Sequence, residues 1–159
     1  MNITVLDFEQ VAKCYKPYVE GIYALEQRAQ DHREAINSLQ TEAEGIIKSE
    51  ESLVLDDSTK QENRQRIQAL QQEAMLKDQT FKADADETQR KLVGEAYEGI
   101  TNVVNKFVSD SDDVDMVLNR SEVVYFSEDN NITEKIIEEL KTADLYTEQR
   151  LRGPEQPQQ

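Results

Sequence analysis

Few side chains in this chain have the types and spacing that enzymatic chemistry requires. It contains one histidine, His32, and one cysteine, Cys14. A catalytic nucleophile needs an adjacent base, a phosphate site needs a glycine-rich loop, and a metal centre needs several ligands at defined spacing. The sequence contains none of these patterns. We therefore predict that the protein is not an enzyme, and we assign no catalytic, cofactor-binding or metal-binding residues.

The densest group of potential metal ligands is the acidic run DSDDVD at residues 110–115. It superficially suggests a calcium loop, but it lacks the central glycine and the bidentate glutamate that such a loop needs at fixed positions. We interpret it as a solvated turn.

A heptad repeat runs through the middle of the chain. Two series of seven-residue spacing lie three positions apart, like the a and d positions of a coiled coil. The a series is Ile22, Ala29, Ile36 and Ala43, and the d series is Leu25, His32, Leu39, Ile46 and Leu53. The pattern predicts one long helix over about residues 18–53 that must pack on a partner helix.

His32 is the polar member of the d series. A titrating imidazole there could act as a pH switch, or it could be a polar residue that fixes the register of the paired helices. We favour the register role, which is the more usual one for a polar residue at such a position.

The partner helix follows directly, with apolar residues repeating every eleven positions. The two series are Leu70, Phe81, Leu92 and Val103, and Ala74, Ala85, Ala96 and Phe107. An eleven-residue repeat gives a nearly straight helix. Because residues 54–58 suffice only for a tight turn, we predict an antiparallel hairpin over residues 18–107, about 50 Å long. Ser58 or Thr59 is expected to cap its second helix.

The chain ends differ from the hairpin. They contain three short strand candidates at residues 3–6, 114–118 and 122–126, and an amphipathic helix that begins near Asn131. We assign residues 1–17 and 108–143 to a small β-rich body and the polar residues 144–159 to a disordered tail. The predicted class is α+β, mostly α, with the hairpin as a coiled-coil arm projecting from this body.

The predicted body is too small to fold alone. Small units bury little of their surface, and its strand edges would be open. We therefore expect several copies to associate through their chain ends. The residues expected to form these contacts are Ile3, Val5, Val123, Tyr125, Ile136 and Leu140.

Charge and hydropathy restrict the possible partners. The net charge of −15 argues against nucleic acid, because phosphate binding needs a basic face. No apolar run reaches the ~20 residues of a membrane span.

The order of these elements resembles that of the Skp or OmpH family, trimeric chaperones of the bacterial periplasm. The resemblance covers about residues 3–141. It is carried by ITVLDFEQVA (3–12), KLV (91–93), ITNVV (100–104), VDMVL (114–118), VVYF (123–126), NIT (131–133) and IIEELK (136–141). The strongly acidic charge departs from the typically basic members of that family.

The resemblance implies a jellyfish-like homotrimer whose three arms enclose a cavity. It also implies an ATP-independent holdase for unfolded outer-membrane proteins, located in the periplasm. The sequence shows no signal peptide, so either the cytoplasm is the alternative compartment or a leader was replaced by Met1.

Apolar residues on or outside the helical seam are the candidates for binding unfolded client proteins. They are Ile47, Val54, Leu55, Met75 and Leu76. The alternative function is a coiled-coil scaffold or adaptor that grips one dedicated folded partner. A promiscuous chaperone needs leftover apolar surface and an adaptor does not, so these residues favour the chaperone.

Overall fold

A computed structural model of the protein describes residues 1–152, so the end of the expected tail, residues 153–159, lies outside the described residues. The elements in chain order are β1 (Ile3–Leu6), α1 (Phe8–Ala12), α2 (Lys16–Ser52), α3 (Asp57–Ser109), β2 (Met116–Asn119) and α4 (Thr133–Thr142). Between β2 and α4 lie two 3-10 turns, Arg120–Glu122 and Glu128–Asn130. The predicted class, mostly helical α+β with a long helical hairpin, is confirmed.

The chain folds as two compact units. The first unit contains Met1–Tyr23 and the residues from Arg90 onward, and the second contains Ala24–Gln89. The beginning of α2, up to Tyr23, and the end of α3, from Arg90, therefore belong to the first unit. The repeat patterns had assigned both to the hairpin. They belong to the first unit because Val19, Ala96 and Ile100 are buried there.

The second unit consists of the facing parts of α2 and α3 and the turn between them. The predicted a and d residues from Leu25 to Ile46 are partly buried, whereas most of their neighbours are exposed. On α3, Leu70 is buried, and Ala74, Phe81 and Ala85 are partly buried. Both repeat patterns thus predicted the packed faces of this unit.

The helix cap at the start of α3 differs from the prediction. The Oδ1 atom of Asp56 accepts the backbone N–H of Thr59 at 2.8 Å, so Asp56 takes the role expected of Ser58 or Thr59. A carboxylate is favourable there because it satisfies a free N–H group and faces the positive end of the helix dipole.

The first unit is organised around a parallel pair of strands. In β1 and β2, Ile3 lies opposite Met116 and Leu6 lies opposite Asn119. On the other edge of β1, the Ile132 N–H donates to the Val5 carbonyl at 2.9 Å. The core combines residues of β1, α1, α3 and α4 with two residues of the junction between α1 and α2: Leu6, Val11, Cys14, Tyr15, Ala96, Ile100, Val104, Ile132, Ile136, Ile137 and Leu140.

The strand expected at residues 122–126 is absent from the described chain. Arg120–Glu122 forms a 3-10 turn, and the Val123 N–H donates to the Arg120 carbonyl at 3.1 Å. Both edges of β1 are already occupied, so β1 offers this segment no place to pair, and β2 pairs with β1 alone among the described strands. Val124 and Tyr125 are consequently exposed.

The described part of the tail expected from residue 144 is not disordered. Leu145 and Tyr146 pack against the core of the first unit, and Leu151 makes a backbone hydrogen bond to Lys13. Residues 144–151 are therefore folded, because two apolar side chains anchor a segment whose composition is otherwise polar.

Candidate functional site

The residues predicted to bind clients all lie in the second unit. Ile47, Val54, Met75 and Leu76 expose their apolar side chains, and Leu55 is partly buried. The periodicity argument thus identified apolar side chains that the helix pairing leaves available.

These residues do not form one continuous patch. Val54 and Leu55 lie in the turn between the helices, whereas Met75 and Leu76 lie on α3. The helical residues 57–74 separate the two pairs by roughly 27 Å. Met75 and Leu76 also face different sides of α3, since successive residues of a helix are rotated by about 100°. The second unit therefore presents separate apolar points on a polar surface.

Leu53 is an exposed apolar residue that the sequence reasoning missed. It continues the heptad as a d residue, but its exposed fraction is 60% because α2 ends at Ser52. Its position directly before Val54 in a predicted turn was the available signal.

Three of the six predicted assembly residues are unavailable to another copy. Val5 has an exposed fraction of 3%, and Ile136 and Leu140 are fully buried in the core of the first unit. The assignment of these three residues was wrong, because an apolar face of a strand or helix looks the same in sequence whether it packs within one chain or between chains. Ile3 and Val123 are partly buried, and Tyr125 is 85% exposed.

The first unit carries an apolar surface that our sequence analysis did not identify. The ring of Phe8 packs on Tyr97 with centroids 5.5 Å apart, and both rings line an open cleft of about 450 Å³ beside β2. A second open cleft, of about 580 Å³, is also lined by Phe8 and includes Val93. Val93, Tyr97 and Met116 are exposed. The spacing of Val93 and Tyr97, four residues apart and off the eleven-residue seam, was a usable signal.

His32 occupies the seam of the second unit with defined partners. Its ring stacks on Phe81 with centroids 4.4 Å apart, and its Nε2 atom lies 3.2 Å from Asp78 Oδ1. The other Asp78 oxygen lies 2.8 Å from Lys82 Nζ. Hydrogen bonds from Lys82 and then from His32 hold the pKa of Asp78 below its ordinary value. These contacts fit the register role, and the pH switch stays an untested alternative.

The acidic run at residues 110–115 accepts hydrogen bonds from the start of the chain. The Asn2 backbone N–H donates to the Asp115 carboxylate at 2.6 Å, and the Asn2 side-chain amide donates to the Asp113 carbonyl. Across residues 1–152, no three histidine, cysteine, aspartate or glutamate side chains are grouped so that they could hold a metal ion. In the same part of the chain, no helix is both long and apolar enough to span a membrane.

Comparison with known proteins identifies relatives of the whole fold. Residues 2–140 match the sequence model of the family described as "Outer membrane protein (OmpH-like)". A crystal structure from Caulobacter crescentus, of a protein assigned as an OmpH-like outer membrane chaperone, superposes with a TM-score of 0.70 at 15% identity. The superposition covers 98% of this chain and 93% of that one. No curated protein matches the sequence significantly.

Proposed function

Because the chain belongs to the OmpH-like family, we propose that it is a chaperone that holds unfolded proteins without ATP. The OmpH-like chaperone family is non-enzymatic. The observation that carries the proposal is the set of separate, exposed apolar side chains on the second unit. A protein that gripped one dedicated folded partner would instead need a continuous complementary surface.

The arrangement of these side chains suits clients that have no fixed shape. An unfolded β-barrel protein carries many short alternating apolar segments, which aggregate in water. Each contact with a single exposed leucine or methionine is weak, but several contacts to the same flexible chain act together. Unfolded outer-membrane proteins are therefore the proposed clients, and the periplasm is the proposed compartment because such clients cross it.

We propose that the active form is a homotrimer whose arms surround the client. The residues that support assembly through the first unit are exposed ones: Val93, Tyr97, Met116, Val124 and Tyr125. The outer edge of β2 pairs with no strand of the described chain, and residues 123–126 belong to no strand of it either. If residues 123–126 of one copy paired with the outer edge of β2 in another copy, both would gain a partner strand.

The client-binding proposal is tested by a variant with four substitutions, Val54→Ser, Leu55→Ser, Met75→Ser and Leu76→Ser. An unfolded β-barrel outer-membrane protein is diluted from urea into each protein without nucleotide, and aggregation is followed by light scattering. We expect the wild type to suppress aggregation and the variant to lose most of that protection. The matched control carries serine at four exposed glutamines of the same unit: Gln40, Gln68, Gln71 and Gln72.

Two outcomes would count against the proposal. If the quadruple variant protects as well as wild type while keeping its helical circular dichroism, the assigned residues do not bind clients. If wild type gives no protection, the chaperone function itself fails and the adaptor becomes the better explanation.

A further inference from the structure

The segment after α4 turns back onto the beginning of the chain. Asp144 adopts a left-handed backbone conformation with φ of 58°, and the Leu145 N–H donates to the Leu140 carbonyl at 2.8 Å. This geometry ends a helix and reverses the chain direction. Residues 145–151, which we name the strap, lie beyond the family match at residues 2–140.

The strap pairs with the junction between α1 and α2 through its backbone. The Thr147 N–H donates to the Cys14 carbonyl at 3.0 Å, and the Leu151 N–H donates to the Lys13 carbonyl at 2.9 Å. In the opposite direction, the Lys16 N–H donates to the Leu145 carbonyl at 2.8 Å. The first N–H groups of a helix have no partner inside it, and Lys16 is the first residue of α2. The strap therefore caps the first long helix.

Side chains attach the strap at two further places. The Tyr146 ring has Lys141 Nζ 4.9 Å and the Arg150 guanidinium carbon 5.7 Å from its centroid. The hydroxyl of Tyr23, which lies about two turns into α2, donates to the Arg150 carbonyl at 3.2 Å. Tyr23 and Arg150 are exposed and Tyr146 is partly buried, so water competes for all these contacts.

A fully buried thiol lies at the paired junction. Cys14 has no exposed surface, and its Sγ atom is 3.3 Å from the Val11 carbonyl. Burial raises the pKa of this thiol. As the single cysteine of the chain, it reports on the junction without interference from other thiols.

We propose that the strap is a latch that opens locally: attached, it fixes the α1–α2 junction and the first turn of α2, and released, it frees them without unfolding the rest. The contrast within the first unit supports this. Ile136, Ile137 and Leu140 of α4 are fully buried, whereas the strap packs only two partly buried side chains, Leu145 and Tyr146, against the core and is otherwise held by a few hydrogen bonds. Segments with few buried apolar contacts and exposed hydrogen bonds open first. The inference does not depend on the proposed function.

The first test compares two truncated proteins. One ends at Ala143 and lacks the strap, and its control ends at Arg152 and keeps it. We measure the rate at which Cys14 reacts with a disulfide reagent, and amide hydrogen exchange over residues 16–23 and 24–89. Loss of the strap should accelerate the thiol reaction by roughly tenfold or more and speed exchange at residues 16–23, with residues 24–89 unchanged. Thiol rates within twofold of the control would overturn the proposal.

The second test uses the full chain, so it does not depend on the truncated protein folding. The Cys14 reaction is followed at increasing urea concentrations below the unfolding transition. Local opening exposes little surface, so the rate should rise only slightly with urea. A slope equal to that of global unfolding would mean that the thiol is exposed only when the whole unit unfolds, and the latch would be rejected.

Discussion

Two glycines of α3 have opposite surroundings, although both interrupt a long helix. A Cβ at Gly99 would collide with the ring and hydroxyl of Tyr15, with its Cζ atom 2.8 Å away. A Cβ at Gly94 would meet nothing within 4 Å. Gly99 is therefore required for close packing, whereas Gly94 has no packing role.

We predict opposite effects for alanine at these two positions. Gly99→Ala should lower the free energy of unfolding by ~1–3 kcal/mol, because Tyr15 must leave its packed position. Gly94→Ala should raise it by up to ~1 kcal/mol through better helix propensity. Urea denaturation followed by circular dichroism measures both. Equal effects of the same sign would contradict the packing described for Gly99.

Asp56 provides a pH-dependent prediction. Hydrogen bonds from Thr59 hold the pKa of this carboxyl below its ordinary value of 3.8. Its cap thus contributes fully above about pH 4 and is lost as the pH falls through the lowered folded-state pKa. Asp56→Asn keeps the acceptor oxygen but does not titrate, so wild type should lose more thermal stability than this variant between pH 4 and pH 2. Parallel stability profiles of the two proteins would rule out the cap.

The position of this cap illustrates a limit of sequence reasoning at the residue scale. Asp56, Asp57, Ser58 and Thr59 are four consecutive residues that can all cap a helix. Which one does so depends on where the helix begins, and helix boundaries shift by one or two residues with small changes in packing. The existence of a cap was predictable, and its exact residue was not.

At the scale of elements, burial distinguishes neighbouring residues of α3. Leu70 lies in the seam with an exposed fraction of 2%, and Met75, five residues later, is 59% exposed. Leu70→Ala should lower the stability of the second unit by ~2–4 kcal/mol, whereas Met75→Ala should change it by less than about 0.5 kcal/mol. Hydrogen exchange over residues 24–89 checks both. Similar effects would show that the helix register is wrong.

The long helices could be predicted because their signal is local and repeated many times. An apolar repeat of seven or eleven residues indicates which face of a helix is packed, whichever segment packs against it. The segment at residues 122–126 has strand-like composition, but a strand also needs an edge to pair with. Residues 145–151 have polar composition, but they find a backbone partner at residues 13–16. Both outcomes depend on distant parts of the chain, which local composition does not reveal.

At the scale of the whole molecule, the proposed assembly can be tested. Val124 and Tyr125 are fully exposed or nearly so and make no contribution to the core of the first unit. If they lie between copies, the double variant Val124→Glu, Tyr125→Glu should be monomeric by light scattering with unchanged helical content. The matched control, Met75→Glu with Leu76→Glu, should stay trimeric. A trimeric Val124→Glu, Tyr125→Glu protein would exclude this segment from the interface.

The proposed client-binding residues were easier to predict from the sequence than the proposed assembly residues. Residues off the helical seam, such as Met75 and Leu76, could be identified because the seam itself was clear from the sequence. Val5, Ile136 and Leu140 could not be separated from interface residues, because burial within a chain and burial between chains select the same side chains. Phe8 and Tyr97 are brought together by the fold alone.

The pairing of β1 with β2 joins two parts of the chain that are synthesised at different times. Asn2 and Asp115, which are hydrogen-bonded, are separated by 113 positions. At ~5–20 residues per second, the first strand waits at least several seconds during synthesis before its partner exists. Contact between Gly21 and Leu92 shortens the loop that remains to be closed to roughly 40 residues, which lowers the entropy cost of closure by ~1 kcal/mol. We therefore expect α2 and α3 to pack together first and the strands to pair last. Until then β1 has no partner strand, so rapid packing of the helices shortens the time for which it stays unpaired.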